Sequence, residues 1–280
     1  MFKKATKKQA KLRLALFGPS GAGKTYTALR IATGMSDKIA VIDSERGSAS
    51  KYSDRFNFDV AEIEDTDITN YIRFLSAAAE SGYEVVIIDS ITHAWTELLQ
   101  EIDKIAKAKY KGNSWSAWSD GTPKQRQMVN AILDYPGHII ATMRSKTEWT
   151  LEQDKNGKNK PMRVGLSPEQ GKGIEYEFDM LMELNTDHTA NVLKDRTGKY
   201  QDQFIEKPGE DFGKELSDWL SDGLTIEDEK NELIRKIETC KTTDELGLVY
   251  KENYTLGNDP DILEVFKKTK EKLTKKSEAA

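Results

Sequence analysis

Gly18-Pro-Ser-Gly-Ala-Gly-Lys24-Thr25 constrains this chain more than any other stretch. It follows the apolar run Leu12–Phe17 and precedes the helical spacing of Tyr26 to Met35, so strand, glycine-rich turn and helix come in immediate succession. A turn of this kind aims consecutive backbone N–H groups at one point, at the positive end of the helix dipole, which makes it a phosphate-binding loop. The expected nucleotide contacts are Gly18, Pro19, Ser20, Gly21, Ala22, Gly23, Lys24, Thr25 and Tyr26. Lys24 is expected on the β- and γ-phosphates and the Thr25 hydroxyl on Mg²⁺, so ATP and Mg²⁺ are the expected ligands.

Glu84-Val-Val-Ile-Ile-Asp89 is a continuous β-branched run, as in a strand buried on both faces of a parallel sheet. Its terminal Asp89 opens into the crevice where ligands bind, and is the expected metal-side carboxylate. Lys38–Ile42 and His138–Thr142 read as further strands, alternating with helical spacings at 68–80, 96–109 and 124–133. That alternation predicts βαβ units and a mostly parallel sheet. After Thr142 the pattern changes to hairpin-like runs, with antiparallel strands at 178–184, 189–194 and 200–205. From Thr225 onward it reads as helices broken near Gly257–Pro260. The expected fold is therefore an α/β P-loop core over residues 1–222 and a helical C-terminal appendage over 223–280.

Hydrolysis needs a group that orients and polarises water. Ile39-Ala-Val-Ile-Asp43-Ser-Glu45 ends its strand with two acids. With the phosphate loop and Asp89, this stretch resembles the RecA-like P-loop ATPases, and the resemblance implies Glu45 as catalytic base. It also implies a γ-phosphate sensor just past the strand 138–142, with Thr142 as first candidate and Arg144 as second, where members usually carry glutamine. Val192-Leu-Lys194-Asp-Arg196-Thr-Gly198 resembles the Lys-x-Arg-x-Gly element of ring helicases and their relatives. There both cations reach a neighbouring subunit's γ-phosphate, as an arginine finger does. On a strand, Lys194 and Arg196 would share one face; the alternative is a hairpin turn that happens to carry charges. The finger reading implies a homo-oligomer, ring or filament.

The resemblance covers about Lys11 to Leu220 and is closest to phage-encoded single-strand annealing and recombination ATPases. It implies single-stranded DNA as partner and a host's cytoplasm as location. A ring-type motor or helicase loader is the alternative, and a small-molecule kinase a further one.

The net charge of −5 hides a separation of charge. Lys104 to Arg126 holds six cations against Asp120 alone, whereas 202–232 holds eleven acids against Lys207, Lys214 and Lys230. In the basic stretch Lys109 and Lys111 are interleaved with Tyr110, Trp115 and Trp118, a pattern suited to stacking and phosphate contact on a single strand. Lys158, Lys160, Arg163 and Lys172 form a second candidate, placed like the mobile DNA-binding loop of RecA-like recombinases. Both aromatic and basic positions could equally serve a subdomain core and a solvated face. His93, His138 and His188 show no ligand spacing and are expected in structural roles. No run approaches a membrane span, and Cys240 is alone, so no disulfide framework is expected. The C-terminal helices are expected to dock a partner or clasp the oligomer.

Overall fold

The computed structural model describes residues 9–153, 159–253 and 257–278. Six parallel strands form the sheet's centre: β1 (Arg13–Gly18), β2 (Ile39–Asp43), β3 (Asp59–Glu62), β4 (Val85–Asp89), β5 (His138–Gln153) and β7 (Met180–Leu184). Their order is β3-β2-β4-β5-β1-β7. Beyond β7, the strands β8 (Thr189–Asp195) and β9 (Phe204–Glu206) add antiparallel. β5 outruns the sheet: Arg144 still pairs with Gly18, but from Ser145 onward β5 pairs with β6 (Asn159–Pro168) in an antiparallel hairpin.

Every residue of β1, β2 and β4 is buried, because helices cover both faces. Ala15 and Phe17, Val86 and Ile88, and Ile139, Ala141 and Met143 share one core with α2 (Ile68–Glu80), α3 (Ile91–Lys109) and α4 (Ser114–Leu133). α1 (Lys24–Met35) follows the phosphate loop, α5 (Ile174–Glu177) is a single turn, and α6 (Glu210–Ser221) comes after β9.

Three boundaries differ from the sequence expectation, each for a local reason. β3 is a mostly exposed edge strand, Asp-Val-Ala-Glu, with no apolar alternation to announce it. α4 starts at Ser114, before Gly121 and Pro123, because Asn113 caps it by accepting from Ser116 N. Gly121 serves the helix pair: a Cβ there would stand 2.5 Å from Ile102 Cδ1 of α3. β9 begins only at Phe204, since the Asp195 carboxylate gathers the N–H groups of Thr197, Lys199 and Tyr200 into a turn.

Lys11–Trp219 is one compact unit. The other comprises Leu220 onward with Gln9 and Ala10. In it α7 (Ile226–Thr239), α8 (Thr243–Glu252) and α9 (Pro260–Glu278) pack around Leu233, Ile237, Leu246 and Ile262. Thr225 and Asp228 close a capping box at the start of α7. No helix among the described residues is long and apolar enough to cross a membrane.

Candidate nucleotide site

The adjacent strands β2, β4, β5 and β1 end at one edge, so a few residues past each terminus converge there. Gly18 closes β1 so tightly that a Cβ would stand 2.3 Å from Leu184 O, and Gly21 and Gly23 take φ of 81° and 82°. The loop can therefore be built only with glycine at these positions. Lys24, the first residue of α1, donates from Nζ to the carbonyls of Gly18 and Pro19, both at 3.0 Å. Its pKa is lowered, chiefly by burial; Asp89 and Glu45 oppose the shift and the charge of Arg144 adds to it. A phosphate would meet an ammonium already inside the loop and held by partners it can replace.

Asp89, only 2% exposed, accepts from Thr25 Oγ1 at 2.5 Å and from Thr142 Oγ1. Burial raises its pKa, and the two hydroxyl donors pull the other way. One hydroxyl and one carboxylate meeting at the mouth of the phosphate loop is the donor set Mg²⁺ takes from protein when phosphates and water supply the rest. Among the described residues there is no cluster of three His, Cys, Asp or Glu that could hold a metal by itself.

Thr142 is not where the sensor was expected. It pairs with Leu16, two residues short of the Gly18–Arg144 pair at the strand end. It is fully buried, its hydroxyl is given to Asp89, and it does not line the cleft. Arg144, the second candidate, does line it.

Glu45 arrives from β2 through a loop that Asp43 organises. The buried Asp43 accepts from Glu45 N at 2.6 Å and Ala49 N at 2.9 Å, while Arg46 and Gly47 turn at φ of 55° and 74°. The Glu45 carboxylate then faces the cleft. It is gripped by Arg144, with Nη2 at 2.9 and 3.0 Å and Nε at 3.3 Å, and it lies 3.6 Å from His93 Nε2.

These side chains border a cleft of about 920 Å³. The sequence reading named most of its phosphate-loop lining but missed Arg30, Tyr52, His188, Lys207 and Pro208. Tyr26 meets Tyr52 and Phe56 edge-to-face at 5.4 and 5.3 Å. Arg30 is held by Glu210 and Lys207 O. His188 Nδ1 lies 3.2 Å from Ala22 O, a pure acceptor, so that nitrogen carries the proton. His188 thus lines the cleft, His93 stands outside its lining between Ser44 Oγ and Glu45, and His138 is structural: its Nδ1 accepts from Leu12 N. No short motif marks these lining residues, because they come from segments far apart in the chain.

Lys194 and Arg196 do not line this cleft. β8 ends at Asp195, so they do not share a strand face as expected; both instead converge on the end of α5. Lys194 Nζ donates to Glu175 O and Tyr176 O, and Arg196 reaches Tyr176 O and Asp179 Oδ1.

The basic stretch separates into core and surface. Trp118 is half-buried and stacked on Trp95 at 5.7 Å, Tyr110 packs against the same core, and Trp115 is 86% exposed. Lys109 pairs with Asp120 and Lys124 with Glu101, while Lys111 is exposed at φ 51°. Lys172 is exposed. Lys158 lies outside the described residues. Lys160 and Arg163 are described only by backbone, on β6 opposite Glu152 and Trp149.

A phosphate loop on a parallel sheet, with a buried carboxylate two strands away that accepts from the loop's Thr25, defines a P-loop nucleotide-binding protein. The sequence model of the AAA domain family matches residues 10–213, and the chain belongs to that family of P-loop ATPases. No curated protein matches it.

Proposed function

We propose that this protein is an oligomeric RecA-like ATPase that binds ATP with Mg²⁺ and hydrolyses it on single-stranded DNA, in the manner of phage annealing and recombination ATPases. The observation that carries the hydrolytic part is the convergence of Lys24, the Thr25–Asp89 pair and Glu45 on one cleft. Lys24 exchanges the Gly18 and Pro19 carbonyls for phosphate oxygens. Thr25 and Asp89 would hold Mg²⁺, which when bound would offset charge on the phosphates. Glu45 accepts a proton from water as that water's oxygen bonds to the γ-phosphorus. The bond to the β–γ bridging oxygen breaks, and ADP and phosphate leave.

Lys194 and Arg196 are absent from their own cleft, which favours their action on a second copy's nucleotide. For DNA, the supporting features are the exposed Trp115, Lys111 and Lys172, and the hairpin that leaves the sheet next to the site. The C-terminal helices are assigned to partner docking or oligomer contact.

The test is ATP hydrolysis with and without single-stranded DNA at two salt concentrations, with Lys24→Ala as control. Lys24→Ala is expected to lower turnover by roughly 100-fold or more. DNA stimulation is expected to fade with salt, because phosphate contacts release counterions. Turnover with no stimulation and no DNA binding at low salt overturns the DNA part alone. Mixing Glu45→Gln with Arg196→Ala subunits tests the trans finger: recovery of activity in the mixture supports it, and strictly additive loss removes it.

A further inference from the structure

Glu45 is assigned the task of taking a proton, yet its carboxylate is already spoken for. Arg144 meets it with three N–O contacts, 2.9 and 3.0 Å from Nη2 and 3.3 Å from Nε, in a fork that fits a carboxylate closely. A carboxylate neutralised and oriented by a guanidinium is a weaker base toward water than a free one. Arg144 lines the phosphate cleft, and its side chain is about half exposed, so it can turn without unpacking a core. Its backbone, by contrast, is fixed: its N–H donates to Thr92 Oγ1 at 3.0 Å and its carbonyl accepts from Glu169 N at 2.8 Å. It is also the last β5 residue paired with the central sheet, and Ser145, the next, is the first paired with β6.

We infer that Arg144 is a latch on Glu45, closed without a γ-phosphate and opened by one. The γ-phosphate carries more charge than a carboxylate and competes for the same guanidinium fork. When Arg144 turns to it, Glu45 is released beside the water it activates, so base and phosphate are armed together. ADP offers no γ-oxygens and leaves the latch closed. This inference rests on the assignment of Glu45 as base. It differs from simple sensing because the arginine's alternative partner is the base itself, and because the latch sits where the hairpin joins the site.

The test is a binding cycle with a non-hydrolysable ATP analogue and with ADP, in wild type, Glu45→Gln, Arg144→Ala and the double variant. Removing the Glu45 charge frees Arg144, so Glu45→Gln is expected to tighten the analogue relative to ADP by roughly fivefold, the worth of a partly exposed ion pair. That gain is expected to vanish when Arg144 is absent. If the gain persists in the double variant, it is relief of charge repulsion between Glu45 and phosphate, and the latch is overturned. An unchanged analogue affinity in Glu45→Gln overturns it too. Arg144→Lys guards against misfolding: it keeps the charge without the fork and is expected to show part of the gain. Turnover by Glu45→Gln is read separately. Retained hydrolysis overturns the base assignment, while the binding cycle still reports on the latch.

Discussion

At the amino edge of the sheet, Arg13 spreads its guanidinium over four carbonyls, those of Leu12, Leu133, Tyr135 and Gly137. At the carboxyl edge of the same sheet, Asp89 takes the hydroxyls of Thr25 and Thr142, Lys24 leans on two loop carbonyls, and Glu45 is held by Arg144. Both edges bury charge, Arg13 at 6% exposure and Asp89 at 2%. The difference lies in the partners. Arg13 donates to backbone carbonyls, including that of the last residue of α4, where a cation also meets the helix dipole. At the carboxyl edge Lys24, Thr25, Asp89, Glu45 and Arg144 border an open cleft, where a phosphate, a metal ion or water can take over from the partners they now hold. Burial of charge alone does not mark a site; exchangeable partners do.

The largest break of this contrast is expected from Arg13→Met. It takes the guanidinium away from four carbonyls, of which Leu12 O keeps Ile139 N, and is expected to cost about 3 kcal/mol, or roughly 6–12 °C in the melting temperature of a unit this size. Nucleotide affinity below the transition is expected to stay within about twofold, because no ligand partner is touched. Thermal unfolding with and without nucleotide checks this, and selective loss of binding in a folded variant would dissolve the distinction between edges. At the other edge, Thr142→Val removes a donor to Asp89 with almost no change of shape. The Mg²⁺ concentration for half-maximal hydrolysis is expected to rise about tenfold, as for loss of an outer partner of a metal ligand, and Thr142→Ser to restore it. If the ATP-over-ADP preference fell while the Mg²⁺ dependence stayed fixed, Thr142 would be a sensor after all.

The sequence made the carboxyl edge legible where chemistry is local. The phosphate loop, Asp89 and Glu45 each sit within a few residues of a strand end, so motif and neighbourhood arrive together. The role of Thr142 was not legible, because it depends on register: only the pairing of Leu16 with Thr142 reveals that the hydroxyl stops beside Asp89. The grip of Arg144 on Glu45 joins residues 99 apart, and His188 reaches a loop carbonyl 166 residues away. No spacing rule covers such pairs. In the basic stretch the sequence left both readings open, stacking surface or core. Its aromatics alternate with lysines along the chain, but α4 turns Trp118 inward onto Trp95 and leaves Trp115 out. The helical spacing was legible only over 124–133, whereas α4 begins at Ser114 and takes in Gly121, which packs on Ile102, and Pro123. The fold class was readable from the alternation of strands and helices, whereas edge strand β3 lacked the apolar signal that betrays a buried one.

The smallest expected effect returns to the amino edge and concerns pH. His138 is 8% exposed, and its pKa falls from 6.5 to about 4, first through burial and then through the charges of Lys11 and Arg13. Its neutral Nδ1 accepts from Leu12 N, so a proton there would cost both the hydrogen bond and a desolvated charge. Between pH 4 and 6.5 the unfolded chain binds the proton and the folded one does not. The stabilisation is therefore complete above pH 6.5 and is lost as pH falls through that window. At pH 5.5 the loss amounts to about 1 kcal/mol. His138→Asn keeps an acceptor near the Nδ1 position and cannot titrate. Its unfolding free energy is expected to fall less between pH 7 and 5.5 than that of the wild type, by about that amount, with hydrolysis at pH 7 unchanged. Equal slopes in the two proteins would mean that Leu12 N has another acceptor, and that this edge is less closed than its hydrogen bonds imply.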